Sequence, residues 1–284
     1  AQCCSPGTPI AGSANIGILD KNKFRLIGFY RHSYSDRYFE GHRRSDYSFV
    51  SNAGFDFSGL ILGYGLTEKM TLEAEAGYFF RKYQTYNLSS AYTLSGAGFS
   101  SGVITLKRNL YKNIEREWEI TAGTGAKLPF ARSLKAVDGV TLPQDIQPST
   151  GAFGFVSQIF ISKGYTCTNS RLFLINRTEV NGTNKFGYRY GSMSQTSLFY
   201  SKKLTKNLTG LFQTRHEVRL KDIRNEKIID FSGGHQVFLA PQLSYTLPSG
   251  INISTTFDTP VFQYLNEKQI GNKYSFSFIL IKDF

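Results

Sequence analysis

An all-β fold, closed as a transmembrane antiparallel barrel of about twelve strands, is what three features of this chain predict. Tyr274, Phe276, Phe278, Leu280 and the terminal Phe284 alternate with Ser275, Ser277 and Asp283, the period that a strand between lipid and a polar lumen requires. No apolar run in the 284 residues approaches the roughly 18 that a spanning helix needs. Short turn-like breaks also alternate with longer polar stretches along the chain, as in a barrel with short periplasmic turns and longer extracellular loops.

Composition agrees with this. Hydrophobic residues make up 40% of the chain, and 17 Tyr, 24 Phe and 27 Gly stand against 2 Met and 1 Trp. That balance favours strands, tight turns and aromatic girdles. The opening Ala-Gln-Cys-Cys has no basic and apolar leader, so Ala1 reads as a mature N-terminus after signal-peptide removal; Gln2 is bulkier than the small residue expected before a lipidated cysteine. The net charge of +12 is spread over many segments and forms no basic run with interleaved aromatics, which argues against a nucleic-acid partner. Arg31, His32, Arg37, His42, Arg43 and Arg44 are instead expected in or beside an external loop, facing anionic lipopolysaccharide.

Taken in order, residues 1–22 read as a periplasmic tail or small plug and 23–284 as the barrel. The first strand, near Lys23 to Asp36, turns Phe24, Leu26 and Tyr30 to lipid and Arg25 and Arg31 inward, because a charge facing mid-bilayer costs about 2–4 kcal/mol. In the next, Phe55, Phe57 and Ile61 are expected to face lipid, with Asp56 inside. Met70 to Arg81 points Leu72, Ala74, Ala76, Tyr78 and Phe80 out, and Glu73, Glu75 and Arg81 in. Trp118 and Ile120 face out, opposite Glu117, Glu119 and Lys127. Turns are expected at Leu66 to Lys69, Asn109 to Glu115, Gly164 to Asn169, Leu204 to Asn207 and Leu247 to Gly250. Loops are expected at Asp36 to Tyr47, Tyr86 to Tyr92, Ala131 to Thr150, Asn181 to Tyr190, Lys221 to Gly233 and Thr259 to Gly271.

The expected lumen is therefore lined by Arg25, Arg31, Asp56, Glu73, Glu75, Arg81, Glu117, Glu119, Lys127, Arg171, Arg177 and Arg215, with Glu179 and Glu217 among them. Such a set is either a polar path that selects solutes by charge and size or a network of paired charges that fills a narrow barrel. No catalytic constellation is expected. His32, His42 and His235 lie near outer loops, and His216 and Glu217, adjacent on a strand, point to opposite faces. Neither a cofactor nor a metal site is expected, since Cys3 and Cys4 are too closely spaced for a structural zinc site. Cys167 falls in an expected periplasmic turn, so a disulfide to Cys3 or Cys4 could tether the tail in an oxidising compartment.

The alternation of Tyr274, Phe276, Phe278, Leu280 and Phe284 resembles the assembly signal of Gram-negative outer-membrane barrels, which implies contact with the barrel-assembly machinery during biogenesis. Five phrases in order carry a second resemblance: Gly123 to Pro129, Leu142 to Gly151, Tyr188 to Gly191, Ser232 to Pro241 and Thr259 to Tyr264. Together they resemble a family of outer-membrane proteins assigned to phenol meta-cleavage pathways, related in architecture to fatty-acid and aromatic-hydrocarbon transporters. The resemblance covers roughly Gly123 to Phe284. It implies a barrel passing a small molecule, hydrophobic or anionic. It carries over no functional residues. The alternative is a non-transporting structural or accessory barrel docked on other outer-membrane proteins.

Overall fold

The computed structural model describes residues 17–87, 90–137 and 139–284. Twelve long strands form the wall: β1 (Phe24–Ser35), β2 (Val50–Thr67), β3 (Met70–Asn87), β4 (Ser101–Asn113), β5 (Trp118–Pro129), β6 (Gly154–Tyr165), β7 (Ser170–Asn181), β8 (Met193–Lys203), β9 (Leu208–Arg219), β10 (Gly234–Thr246), β11 (Asn252–Gly271) and β12 (Tyr274–Asp283). Each pairs antiparallel with the next, and β12 pairs with β11 and β1, so the sheet closes on itself. Closure leaves the wall without an unpaired edge, the condition for crossing a bilayer with strands.

The side-chain period sorts each strand into a lipid face and a lumen face. On β12, Phe278 and Leu280 are about half exposed, whereas Ser275, Ser277, Ile279 and Ile281 are buried inside. On β1, Arg25, Phe29 and Arg31 are buried and Phe24 is exposed. β2 reverses the expected faces. Leu60 and Leu62 lie outside, and Phe55, Phe57 and Ile61 lie inside. The register explains it: Phe57 stands opposite inward Arg31, and Asp56 opposite outward His32. The Phe29 and Phe57 rings fit because each leans over a glycine on the next strand. A Cβ at Gly59 would lie 2.2 Å from the Phe29 ring, and one at Gly77 2.1 Å from that of Phe57. Phe29, Phe55, Phe57, Phe79, Ile279 and Ile281 thus form an aromatic core against the inner wall. A second core, on β6 to β9, joins Phe160, Phe173, Ile175, Phe199 and Leu211.

The connections fall at alternating ends as expected. β2–β3, β4–β5, β6–β7, β8–β9 and β10–β11 are joined by tight turns, and most of the others by longer loops. Asn169 closes its turn at φ +50°, a left-handed conformation that asparagine tolerates better than most residues. The stretch Thr259 to Gly271, expected as a loop, is strand instead. β11 runs through to Gly271, and its upper part pairs with the short strand Arg37–Gly41 across a register shift. The connection between β5 and β6 turns inward. Its 3-10 turn Gln144–Ile146 buries Ile146 completely, and the backbone carbonyl of Gln147 accepts a 2.9 Å hydrogen bond from Lys82 Nζ on the inner wall.

Candidate functional site

The lumen carries charge at three levels. At the end of the barrel that carries the tight turns, Arg25 makes a two-point contact with Asp283 at 2.6 Å, Lys107 pairs with Glu73 at 2.6 Å, and Arg171 reaches Glu119 at 3.3 Å and donates to Ser162 Oγ at 2.6 Å. The chain before β1 lies against this level. Leu19 is buried beside Gly63, and its N–H donates to Thr71 Oγ1 at 2.7 Å.

At mid-height two networks cross the barrel. Arg177 on β7 is held between Glu75 on β3, at 2.8 and 3.3 Å, and Glu179, at 3.1 Å; Glu179 in turn binds Lys127 on β5 at 2.8 Å. Three strands of the wall lie between β3 and β7. The Arg177–Glu75 contact is therefore a chord across the lumen. The second network joins Arg31 on β1, Asp258 on β11 and Arg215 on β9, with Asp258 at 3.6 Å from Arg31 and 2.5 Å from Arg215, and Glu217 at 2.8 Å from Arg215. Paired charges with several carboxylate contacts can persist inside a protein where lone ones cannot. Beside Arg31, the polar atoms of Gln242, Thr256 and Ser277 face inward with no hydrogen-bond partner among the described residues.

Between this level and the inward loop lies a cavity that is partly open to solvent. Phe57 and Phe79 form one side, Glu75 and Arg177 another, and Asp145 and Gln147 the roof. At the end of the barrel that carries the longer loops, Asp222 ties the β7–β8 loop to the β9–β10 loop. Tyr188 donates to it at 2.5 Å, the Gly191 N–H at 2.7 Å and Arg219 at 2.8 Å. Burial alone would raise the pKa of Asp222, but Arg219 and the hydrogen bonds from Tyr188 and Gly191 hold it below its ordinary value. Burial first, and then the charge of Asp222, push the Tyr188 phenol up.

Three residues expected in the lumen lie elsewhere. Asp56 and Arg81 stand opposite each other on the outer wall, because a bulge at Phe80 and Arg81 sends Lys82, and not Arg81, inward. Glu117 is in the β4–β5 turn, where the Thr166 hydroxyl donates to it and, with Lys163 nearby, holds its pKa below the usual value. The remaining expected residues point inward. Asp258 and Lys107 were missed. Lys107 continues the inward alternation Val103, Thr105 and could have been found; Asp258 sits at the edge of a stretch that reads as loop. Cys167 is exposed in the turn Thr166–Thr168, whereas Cys3 and Cys4 lie outside the described residues. His216 and His235 pack ring against ring at 5.7 Å, away from Glu217, which binds Arg215 inside.

No protein-family model matches the chain, and no curated protein matches it in sequence. Among solved structures it is similar to the COG4313 outer membrane channel from Pseudomonas putida F1, with a TM-score of 0.75 at 10% identity over 95% of this chain and 98% of that one. It is also similar to the NanC porin, with a TM-score of 0.50 at 10% identity over 90% of this chain and 98% of that one. Identity so low speaks to fold alone, and the fold is the closed twelve-stranded antiparallel barrel of outer-membrane proteins.

Proposed function

We propose that the protein is an outer-membrane channel or transporter for a small molecule, with the inward charges as its selectivity elements. The observation that carries this reading is the cavity between the inward loop and the Arg177–Glu75 chord, with aromatic rings on one side and paired charges on the other. Such a lining suits a solute that is partly apolar and carries charge, in keeping with the resemblance to hydrocarbon transporters. The unpartnered polar atoms of Gln242, Thr256 and Ser277 add hydrogen-bonding capacity along the opposite wall. Residues 1–22 act as a small periplasmic plug, a role supported by the burial of Leu19. The aromatic face of β12 serves as the assembly signal, and Cys167 bonds to Cys3 or Cys4.

The test is planar-bilayer conductance of the purified protein, with ion selectivity, before and after replacing Glu73 and Glu75 by Gln. Stable unitary currents whose cation preference weakens in the variant support an open, charge-lined path. Silence from correctly folded barrel, together with co-purification at fixed stoichiometry with other outer-membrane proteins, supports the second reading: an accessory barrel whose lumen is filled. The Arg177–Glu75 chord is the observation behind that second reading, since a permanent cross-brace would obstruct solutes.

A further inference from the structure

The outer wall of β1 to β3 carries a row of polar charge where a lipid-facing wall should be apolar. His32, Asp56 and Arg81 stand side by side on three adjacent strands. Asp56 Oδ1 accepts the Tyr30 hydroxyl at 2.6 Å and contacts His32 Nδ1 at 2.8 Å. Arg81 is exposed and lies over the Tyr83 ring at 4.1 Å, and no carboxylate oxygen among the described residues is within 4 Å of it. Its guanidinium donors are uncommitted. Its charge acts on Asp56 through space, with no hydrogen bond between the two side chains.

Height decides what the row can meet. Asp56 is eight residues above Tyr64 on the same strand, about 27 Å along it and about 20 Å of vertical rise at a tilt near 40°, against an apolar band about 25 Å tall. With Tyr64, which packs on Phe24 near the turn end of β2, at the lower edge of the band, the row sits within about 5 Å of the upper edge, toward the region where charge costs only about 0–1 kcal/mol and headgroups begin. Aromatic rings frame it. Tyr34 and Tyr274 lie 5.6 Å apart just above, Phe257 stacks on Tyr274 at 6.2 Å, and His32 is 5.1 Å from Phe276. A planar guanidinium pairs with phosphate through two parallel hydrogen bonds, and aromatic faces at a membrane interface suit the apolar face of a sugar ring.

We propose that this patch binds the phosphate of an outer-leaflet glycolipid, with Arg81 as the phosphate anchor and Tyr34, Tyr274 and Phe257 as the shelf for the sugar. Asp56 holds Tyr30 and His32 in place and leaves Arg81 free for the ligand. The proposal rests on the outer-membrane reading and not on conduction, so a protein that passes no current still tests it. A protein that stays soluble without detergent defeats the outer-membrane reading directly.

The experiment is native mass spectrometry of the detergent-purified full chain with bis-phosphorylated lipid A, its dephosphorylated form and phosphatidylglycerol as probes. The wild type is expected to retain phosphorylated lipid A about tenfold better than either other lipid. Arg81→Gln should lose that preference. Arg81→Lys should keep part of it, and Arg108→Gln, an equal loss of charge at the periplasmic end of the wall, should keep all of it. Millimolar inorganic phosphate should not displace the lipid. Retention by Arg81→Gln equal to wild type overturns the proposal, as does equal retention of the dephosphorylated lipid or of phosphatidylglycerol, or displacement by free phosphate. Should Arg81→Gln fail to fold, the comparison of the three lipids on wild-type protein decides alone.

Discussion

At the scale of single residues, Arg177 binds the mid-lumen together, because it has two carboxylate partners and one of them, Glu75, stands across the lumen. Glu75→Gln leaves Arg177 on Glu179 and is expected to cost about 1–3 kcal/mol. Arg177→Gln takes from Glu75 its partner across the lumen and from Glu179 one of its two cations, so it should cost more, about 3–5 kcal/mol. The double variant should be more stable than the sum of the two predicts, by at least about 1 kcal/mol, since both single changes break the same Arg177–Glu75 contact. Urea unfolding of the three variants in one detergent measures this, and strict additivity would show that the chord is not a coupled pair. Asp222 sets a pH dependence at the end of the barrel that carries the longer loops. Its pKa is depressed on folding, so the unfolded state binds more protons and the lock strengthens with pH. The contribution is fully present above the unfolded value of about 3.9 and is lost as pH falls through the lowered folded value. Amide exchange at Gly191, corrected for its intrinsic pH dependence, should lose protection in that acid window, and Asp222→Asn should lack the step.

At the scale of strands, sequence periodicity located the elements better than it located their faces. β3 read correctly from Leu72 to Phe80, because Glu73 and Glu75 alternate with apolar residues and only one face tolerates lipid. It failed one residue later. A bulge at Phe80 and Arg81 has no signature in the residues themselves, and it exchanges the faces of everything above it. β2 failed for a different reason. Phe55 and Phe57 are as suited to lipid as to an aromatic core, and what places them inside is the pairing with β1 and β3, where Gly77 of β3 makes room for the Phe57 ring, which no single-strand reading includes. The mid-lumen charges were legible one strand at a time, but their pairing was not, since Arg177 and Glu75 are 102 positions apart in sequence and meet only once the barrel closes. The aromatic core carries its own prediction. Phe79 meets Phe57 at 4.7 Å and Phe55 at 5.8 Å between centroids and lines the cavity, so Phe79→Ala should cost about 3–5 kcal/mol and enlarge the cavity. If the cavity lies on the conduction path, the variant's unitary current should rise, and an unchanged current from folded Phe79→Ala places the path elsewhere.

At the scale of the whole barrel, three obstructions lie one above another: the segment at Leu19 against Thr71, the Arg177–Glu75 chord, and the inward loop at Ile146 and Gln147. Obstructions in series add as resistances. Removing one gains little while the others stand, because the remaining resistance still sets the current. Under the channel reading, deleting residues 1–22 and replacing Glu75 and Arg177 by Gln should each raise unitary conductance modestly, and the combination should raise it by more than the two gains added. Parallel paths around the chord give the opposite result, since their conductances add and the combined gain is then no more than the sum. The two networks make this a sharp choice, because the chord joins β3 to β7 while Arg31, Asp258 and Arg215 occupy β1, β11 and β9, leaving the lumen either divided into two files or closed by both. Planar-bilayer recordings of the four proteins at one salt concentration distinguish the cases, and a more-than-additive gain would mean that solute entering from outside must pass the loop, the chord and the N-terminal segment in turn.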